Sequence, residues 1–290
     1  MFARAAMTLL LTLGLGDLAL AGLTARAECF TNHPFPGVTC YTETRLEPPT
    51  RLFVAEVELT NSNVRVRVAP GGPDPDGPGP WQTILMQPTR VAAREHFDLV
   101  VNGDFFDARG VKDAEGTNAN FHAAIWAAVN GPAVTDGRAW SSARSNALPC
   151  LVVHRDRKVT IETLARPGTD TWEVVAGNTM IVQAGVPVPH KSKARHPRTV
   201  VGLDATGSRL IIMVVDGRKP GVAVGMSYEE LAVEMIHLGC RQALNLDGGG
   251  SSIMAIRDAG AGGFRILNQP SDGHERAVAS VLGISVGDGP

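Results

Sequence analysis

What most constrains this chain is how often its backbone is interrupted. The 290 residues include 32 glycines and 19 prolines. Together these make about 18% of the chain, where average usage gives about 12%. No Gly-X-Y period accompanies them, which excludes a collagen-like rod, and the excess reads as many tight turns between short strands. Residues 70–80 (PGGPDPDGPGP) are the extreme case. Proline removes the amide donor and glycine adds chain entropy, so this stretch is expected as a surface loop. Its acids lack the ladder of oxygen ligands that a calcium loop requires. With 44% hydrophobic residues, 19% charged residues and a net charge of −2, the chain is too apolar and too weakly charged to be disordered. Aromatics supply only 5%, so the core is expected from Val, Leu, Ile and Ala. The balance of 27 Lys+Arg against 29 Asp+Glu sets nucleic acid aside as a partner.

Residues 1–27 read as a leader. Arg4 precedes an apolar run, and Ala25-Arg26-Ala27 has the small-x-small pattern of a signal peptidase site. The apolar part is broken by Gly14, Gly16 and Asp17, too short for a span of about 20 residues. No other segment approaches that length, so the expectation is a secreted or periplasmic protein without a membrane anchor. Residues 28–290 are expected to form one domain with its core at about 50–286. The four cysteines, Cys29, Cys40, Cys150 and Cys240, fit an oxidising compartment and contain no Cys-x-x-Cys pair. Local loop closure favours Cys29–Cys40, which leaves Cys150–Cys240.

Residues 53–59 (FVAEVEL) and 64–68 (VRVRV) alternate apolar and polar around Asn61-Ser62-Asn63, which predicts a hairpin. Further strands are expected at 98–101, 148–153, 158–164, 174–182, 199–203, 210–215, 243–246, 253–256 and 277–286. A short helix is expected at 89–96. The clearest helix is 227–238: Ser227 and Glu230 form a capping box, Leu231, Met235 and Leu238 share a face, and Gly239 ends it. This mixture predicts an α/β (mixed α+β) fold, a central mixed sheet flanked by helices.

Four segments place polar residues at strand ends, where packing does not ask for them. They are 102–107 (NGDFFD), 195–199 (RHPRT), 216–218 (DGR) and 245–252 (NLDGGGSS). Three successive glycines are entropically costly unless the backbone must bend sharply or let something approach closely. A glycine-rich turn with flanking hydroxyls also exposes N–H groups that suit an anion, phosphate above all. The sequence carries no P-loop lysine, no Gly-x-Gly-x-x-Gly, no Gly-x-Ser-x-Gly elbow and no His-Glu-x-x-His. The eight histidines do not fall at metal-ligand spacing.

VVNGDFFD, RHPRTVVGLD, VVDGR, ALNLDGGGSS and NQPSDGHERAVASVLGI, taken together and in this order, resemble the phosphodiester glycosidase family over about residues 50–286. The resemblance implies a hydrolase acting on a sugar-1-phosphodiester. Asp104 departs from the family pattern, which more often has a small residue there. An acid at that position is either an extra ligand or a change in substrate.

Expelling a phosphomonoester, whose second pKa is about 6, needs little proton donation. Such a site wants anion-gripping donors and a carboxylate facing the anomeric carbon. Arg198, the Gly248, Gly249 and Gly250 backbone and Ser251 are therefore expected to hold phosphate, with Arg276 in support. Asp247 is the leading carboxylate and Glu275 the next, followed by Asp104 and Asp107. Asn102 and Asn245 would orient sugar hydroxyls or the loop, and Thr199, Asp216 and Asp272 complete the expected substrate-binding set. The reaction requires no cofactor, although Asp104, Asp107 and Asp247 leave room for a Ca²⁺ or Mg²⁺ ion. Two other readings are a hydrolase of another envelope polysaccharide bond and a non-catalytic carbohydrate- or phosphate-binding module. Several acids beside a phosphate grip argue against the latter.

Overall fold

The computed structural model describes residues 26–110, 121–258 and 260–287. The leader therefore lies, up to residue 25, outside the described residues. Among these residues only two α-helices occur, α1 (Pro88–Glu95) and α2 (Tyr228–His237), and every strand pair is antiparallel. The expected helix-flanked mixed sheet is thus corrected to a β-rich fold of packed antiparallel sheets. The physical reason lies in the connections. Parallel pairing needs a crossover of a dozen or more residues, and six of the paired neighbours among the described residues are joined directly by turns of only two to four residues.

Eight strands form the largest sheet, in the order Arg26–Phe35, Val38–Leu46, Pro49–Glu58, Arg209–Val215, Arg198–Asp204, Cys240–Asn245, Thr179–Gln183, Val186–Pro187. A five-stranded sheet has Leu99–Asn102 between Met254–Arg257 and Ser280–Val286, with Val64–Pro70 on one edge and Phe264–Ile266 on the other. Another five-stranded sheet centres on Thr171–Ala176 and Leu148–His154. These three sheets share one apolar core containing Phe53, Ile212, Leu244, Leu151, Val175, Leu99 and Leu282. Residues 210–215 are buried throughout because their two faces meet different partners. Leu210, Ile212 and Val214 face that shared core, while Ile211, Met213 and Val215 pack with Leu231 and Met235 of α2. The α2 capping box forms as the sequence predicts: the Ser227 hydroxyl accepts the Glu230 N–H, and Glu230 accepts the Ser227 N–H.

Two strand expectations are corrected. Pro49–Glu58 and Val64–Pro70 are not hairpin partners: the first pairs with Val38–Leu46 and Arg209–Val215, the second with Ser280–Val286. The Asn61–Asn63 turn carries the chain between sheets, so their apolar faces meet across the core. Likewise 174–182 breaks at Gly177-Asn178 into Thr171–Ala176 and Thr179–Gln183, in separate sheets. The Cys29 side chain lies outside the described residues, and among those described neither expected disulfide forms. Cys40, Cys150 and Cys240 are buried free thiols, and Cys150 and Cys240 sit in different packing clusters. Burial pushes the Cys40 and Cys240 thiols up to about 12. Among the described residues no helix is long and apolar enough to cross a membrane.

Gly283, in the middle of its strand, lets the buried Phe97 ring lie across the backbone, and a Cβ there would overlap that ring. Gly283→Ala is expected to cost about 1–3 kcal/mol through overpacking. Denaturant unfolding reads this directly, and an unchanged midpoint would contradict the packing described.

Candidate active site

The site forms where strands of two sheets release their ends side by side. Asn102, fully buried at the end of Leu99–Asn102, binds them together. Its Oδ1 accepts the Thr199 hydroxyl at 2.7 Å and the Ile253 N–H at 3.2 Å, and its Nδ2 donates to the Asp247 carbonyl at 2.7 Å. Asn102 and Thr199 therefore hold the 247–252 loop rather than a sugar. Asn245, also buried, donates to Asn178 Oδ1 and to the Leu246 carbonyl. Asn178 in turn donates to the Tyr228 hydroxyl at 3.0 Å.

The three glycines of the loop have a steric meaning. A Cβ on Gly248 would stand 2.9 Å from the Pro197 carbonyl, with Arg198 behind it. On Gly249 it would meet the Arg218 guanidinium at 3.0 Å, and on Gly250 it would overlap the Arg276 guanidinium. Gly249 also has a φ of +62°, in the left-handed region where glycine is favoured. The turn is bare so that backbone and arginine can lie against it. Its amides are largely spent internally: Gly248 N–H donates to Asp247 Oδ1 at 2.8 Å, Gly249 N–H to Pro197, Ser251 N–H to Gly248 and Ser252 N–H to Gly249. Gripping an anion thus falls mainly to guanidinium groups.

Those groups are held in place. Arg276 binds Asp272 through both Nε and Nη2, at 2.8 and 2.7 Å, and stacks on Phe121 at 4.4 Å. Arg198 lies 4.2 Å over the Tyr228 ring and donates to the Met226 and Ala194 carbonyls. Arg218 and His196 escape the sequence reading of the site, although VVDGR contains the first and RHPRT the second. Burial, with Arg198 and Arg218 nearby, lowers the His196 pKa and keeps its imidazole neutral near pH 7.

Asp247 sits near Arg276 and Arg218, half-buried at the start of the loop. Burial pushes its carboxyl up to about 6, against the opposing pull of the Gly248 N–H, Arg276 and Arg218. Asp104 lies behind it, 2% exposed. Its Oδ2 accepts the Ser280 hydroxyl at 2.7 Å and its Oδ1 the Ala176 N–H at 2.8 Å. Burial first, and the neighbouring Asp247 charge in addition, push Asp104 up to about 7. Both oxygens are engaged inside the protein, so Asp104 braces the floor of the site and does not reach a ligand.

The other two candidate carboxylates lie elsewhere. Glu275 accepts the Thr89 N–H at 2.6 Å and the Thr89 hydroxyl at 2.8 Å, capping the N-terminus of α1. Asp107 is exposed and paired with Arg144. Asp216 is buried beneath the loop, where its Oδ1 accepts from Asn268 and the Gln269 N–H. Asn268 ties it to the Ser252 carbonyl at 3.0 Å. Asp104, Asp107 and Asp247 do not converge, and among the described residues no group of three or more His, Cys, Asp or Glu is placed to hold a metal ion.

Gly250→Ala is expected to displace the Arg276 guanidinium and lower kcat/KM by about tenfold or more, the loss of one charge-assisted contact. Thermal stability should change little, because only the ends of two side chains, Arg276 and its partner Asp272, have to move. Full activity in this variant would show that Arg276 does not act from its present position.

Comparison with known proteins finds the same fold elsewhere. The described residues superpose on the catalytic domain of zebrafish N-acetylglucosamine-1-phosphodiester alpha-N-acetylglucosaminidase, a structure auto-inhibited by its pro-peptide. The match has a TM-score of 0.61 at 17% identity, over 90% of this chain and 84% of that one. A hypothetical protein from Synechocystis matches with a TM-score of 0.59 at 12% identity, over 89% of this chain and 64% of that one. A putative exported protein of Burkholderia pseudomallei matches at 0.58 and 16%, over 82% and 74%. At these identities the likeness is one of fold. In sequence, 94 residues are 37% identical to a prophage-derived uncharacterized protein of Bacillus subtilis (strain 168), covering 32% of this chain and 13% of that protein. The family model for phosphodiester glycosidases matches residues 96–285, a span that includes Asn102, the glycine turn, Asp247 and all three arginines. The chain belongs to the phosphodiester glycosidase family.

Proposed function

We propose that this chain is an exported hydrolase that cleaves the C1–O bond of a sugar-1-phosphodiester. The observation that carries the reading is Asp247, a half-buried carboxylate facing the charges of Arg276 and Arg218 on a turn stripped of side chains. The phosphate rests against Arg276 and Arg218, and its growing charge is stabilised by the Arg276 guanidinium, already held by Asp272 and Phe121, and by that of Arg218 lying against Gly249. Asp247 faces the anomeric carbon, ionised above about pH 6. There it steadies the oxocarbenium-like centre and either attacks it or activates water. Water adds its hydroxyl to C1 and the bond to the bridging oxygen breaks, releasing a phosphomonoester that needs little protonation at neutral pH. Export rests on the leader pattern at 1–27. The buried thiols, set in separate clusters, neither require nor oppose it.

The test is hydrolysis of a panel of synthetic sugar-1-phosphodiesters by the purified protein, with sugar and phosphate followed separately. Turnover of at least one member is expected. Saturable binding across the panel without turnover would replace the hydrolase by a carbohydrate-binding module.

A further inference from the structure

A second hollow lies far from Asp247, at the other end of the same strands. Ser280 holds Asp104 at one end of Ser280–Val286, and Ser285 lines a cavity of about 660 Å³ near the other. Five residues of strand separate them, about 17 Å at about 3.3 Å per residue. Thr171–Ala176 runs the same way: Ala176 N–H meets Asp104, while Trp172 and Glu173 line the cavity. Two smaller hollows extend it. One, of about 370 Å³, shares Arg157 and Val159 with it. The other, of about 280 Å³, shares His96 and Ser285. The result is a groove longer than a single sugar site.

Its charge is uneven. Arg67 and Arg94 are paired with Glu95, and Arg67 also with Asp136. Arg65, Arg155 and Arg157 meet no carboxylate at ion-pair distance among the described residues; their side chains donate only to backbone carbonyls. Arg65 and Arg157 converge on one acceptor, the Val64 carbonyl, at 3.0 and 2.9 Å. Two guanidiniums on one oxygen repel each other, and an anion shared between them removes that cost. Arg157 is held there with a left-handed backbone (φ 71°). At the rim Trp172 is 37% exposed, with Arg155 at 5.0 Å over its ring, an aromatic edge and charge of the kind that meets a sugar phosphate.

We propose that this groove is a second site, which binds an anionic saccharide chain through Arg65, Arg155 and Arg157 beside Trp172 and so anchors a polymeric substrate remote from Asp247. The polymer part of this inference rests on the sugar-phosphodiester reading above. A net charge of −2 gives no general attraction to polyanions, so the preference comes from the groove itself.

The test is calorimetric titration of the wild-type protein, Asp247→Asn, Arg155→Ala and the Arg65→Gln/Arg157→Gln pair. The probes are phosphorylated dextran, neutral dextran of equal length, and a single-stranded oligonucleotide of equal charge. Phosphorylated dextran is expected to bind wild type and Asp247→Asn alike. Binding should weaken about tenfold in the double variant, the equivalent of one charge-assisted contact, and measurably in Arg155→Ala. Neutral dextran should not bind, and the oligonucleotide should bind at least about tenfold more weakly than phosphorylated dextran. If the double variant melts early, Arg155→Ala decides, since that side chain makes one long bond to Thr169 and stacks at the rim. Unchanged affinity in the arginine variants, or an oligonucleotide binding as tightly as the dextran, overturns the proposal. Affinity lost only in Asp247→Asn places the polymer in the Asp247 site and overturns the groove while leaving the hydrolase reading intact. Failure of the hydrolysis panel with groove binding retained does the reverse.

Discussion

Asp247→Asn is expected to lower kcat/KM for a sugar-1-phosphodiester by about a thousandfold, roughly 4 kcal/mol of transition-state stabilisation. The melting temperature should stay close to that of the wild type. The amide keeps the shape of the side chain and an oxygen for the Gly248 N–H, which donates to Asp247 at 2.8 Å. What it removes is the negative charge set opposite Arg276 and Arg218. The wild-type pH profile carries the same information. Burial lifts the Asp247 carboxyl to about 6, and the ionised form is the working one. The acidic limb of kcat/KM should therefore rise with a midpoint near 6 as pH increases. A flat profile from pH 5 to 7, or an asparagine variant with full activity, would remove Asp247 from the chemistry.

The second large effect is on stability, and its sign is unusual for a carboxylate. Burial raises Asp104 from 3.8 to about 7 in the folded chain. Between those values the folded protein binds more protons than the unfolded chain, so the contribution of Asp104 to stability is fully present below about pH 4 and is lost as pH rises through 7. A shift of this size corresponds to about 4 kcal/mol. Glu173, raised by burial to about 8, extends the decline in the same direction. Asp204 and Glu230 are lowered and act with the opposite sign, but only at the acid end, below their ordinary values. Asp104→Asn keeps an acceptor for the Ala176 N–H and places an amide on the Ser280 oxygen. It removes the titration, so the variant should lose less stability between pH 5 and 8 and exceed the wild type at pH 8. Urea unfolding at pH 5, 6, 7 and 8 measures both curves. A wild-type protein that gains stability across that range would contradict the buried, proton-holding Asp104.

Local features of the fold were legible in the sequence wherever one residue dictates its own geometry. Ser227 and Glu230 announce a capped helix, and α2 is there. The runs at 148–153 and 158–164 read as two successive strands, and Leu148–His154 pairs with Val159–Leu164. Pairing between distant segments was not legible. Asn61-Ser62-Asn63 looks like a hairpin turn, and only the sheet to which each flank belongs shows otherwise. The helix-flanked architecture failed for the same reason, because Val/Ile-rich runs such as 210–215 are buried on both sides whether a helix or a second sheet covers them. In the site, the polar strand ends did come together, since Asn102, Thr199, Asn245 and Asp247 share one hydrogen-bonded corner. Glu275 and Asp107 did not join it. Their residue type suited the chemistry, but Thr89 and Arg144 take them up, and neither partner is near in sequence. Arg218 was hidden by its ordinary Asp-Gly-Arg turn and shows its role only where it lies against Gly249.

The account turns on which bond breaks. Hydrolysis of a sugar-1-phosphodiester in ¹⁸O-labelled water, followed by mass spectrometry of both products, reads this directly. Attack at the anomeric carbon, with Asp247 facing C1 and the arginines on the leaving phosphate, predicts the label in the C1 hydroxyl of the released sugar and none in the phosphomonoester. Label in the phosphate would place the attack on phosphorus and contradict the assignment of Asp247 and its arginines.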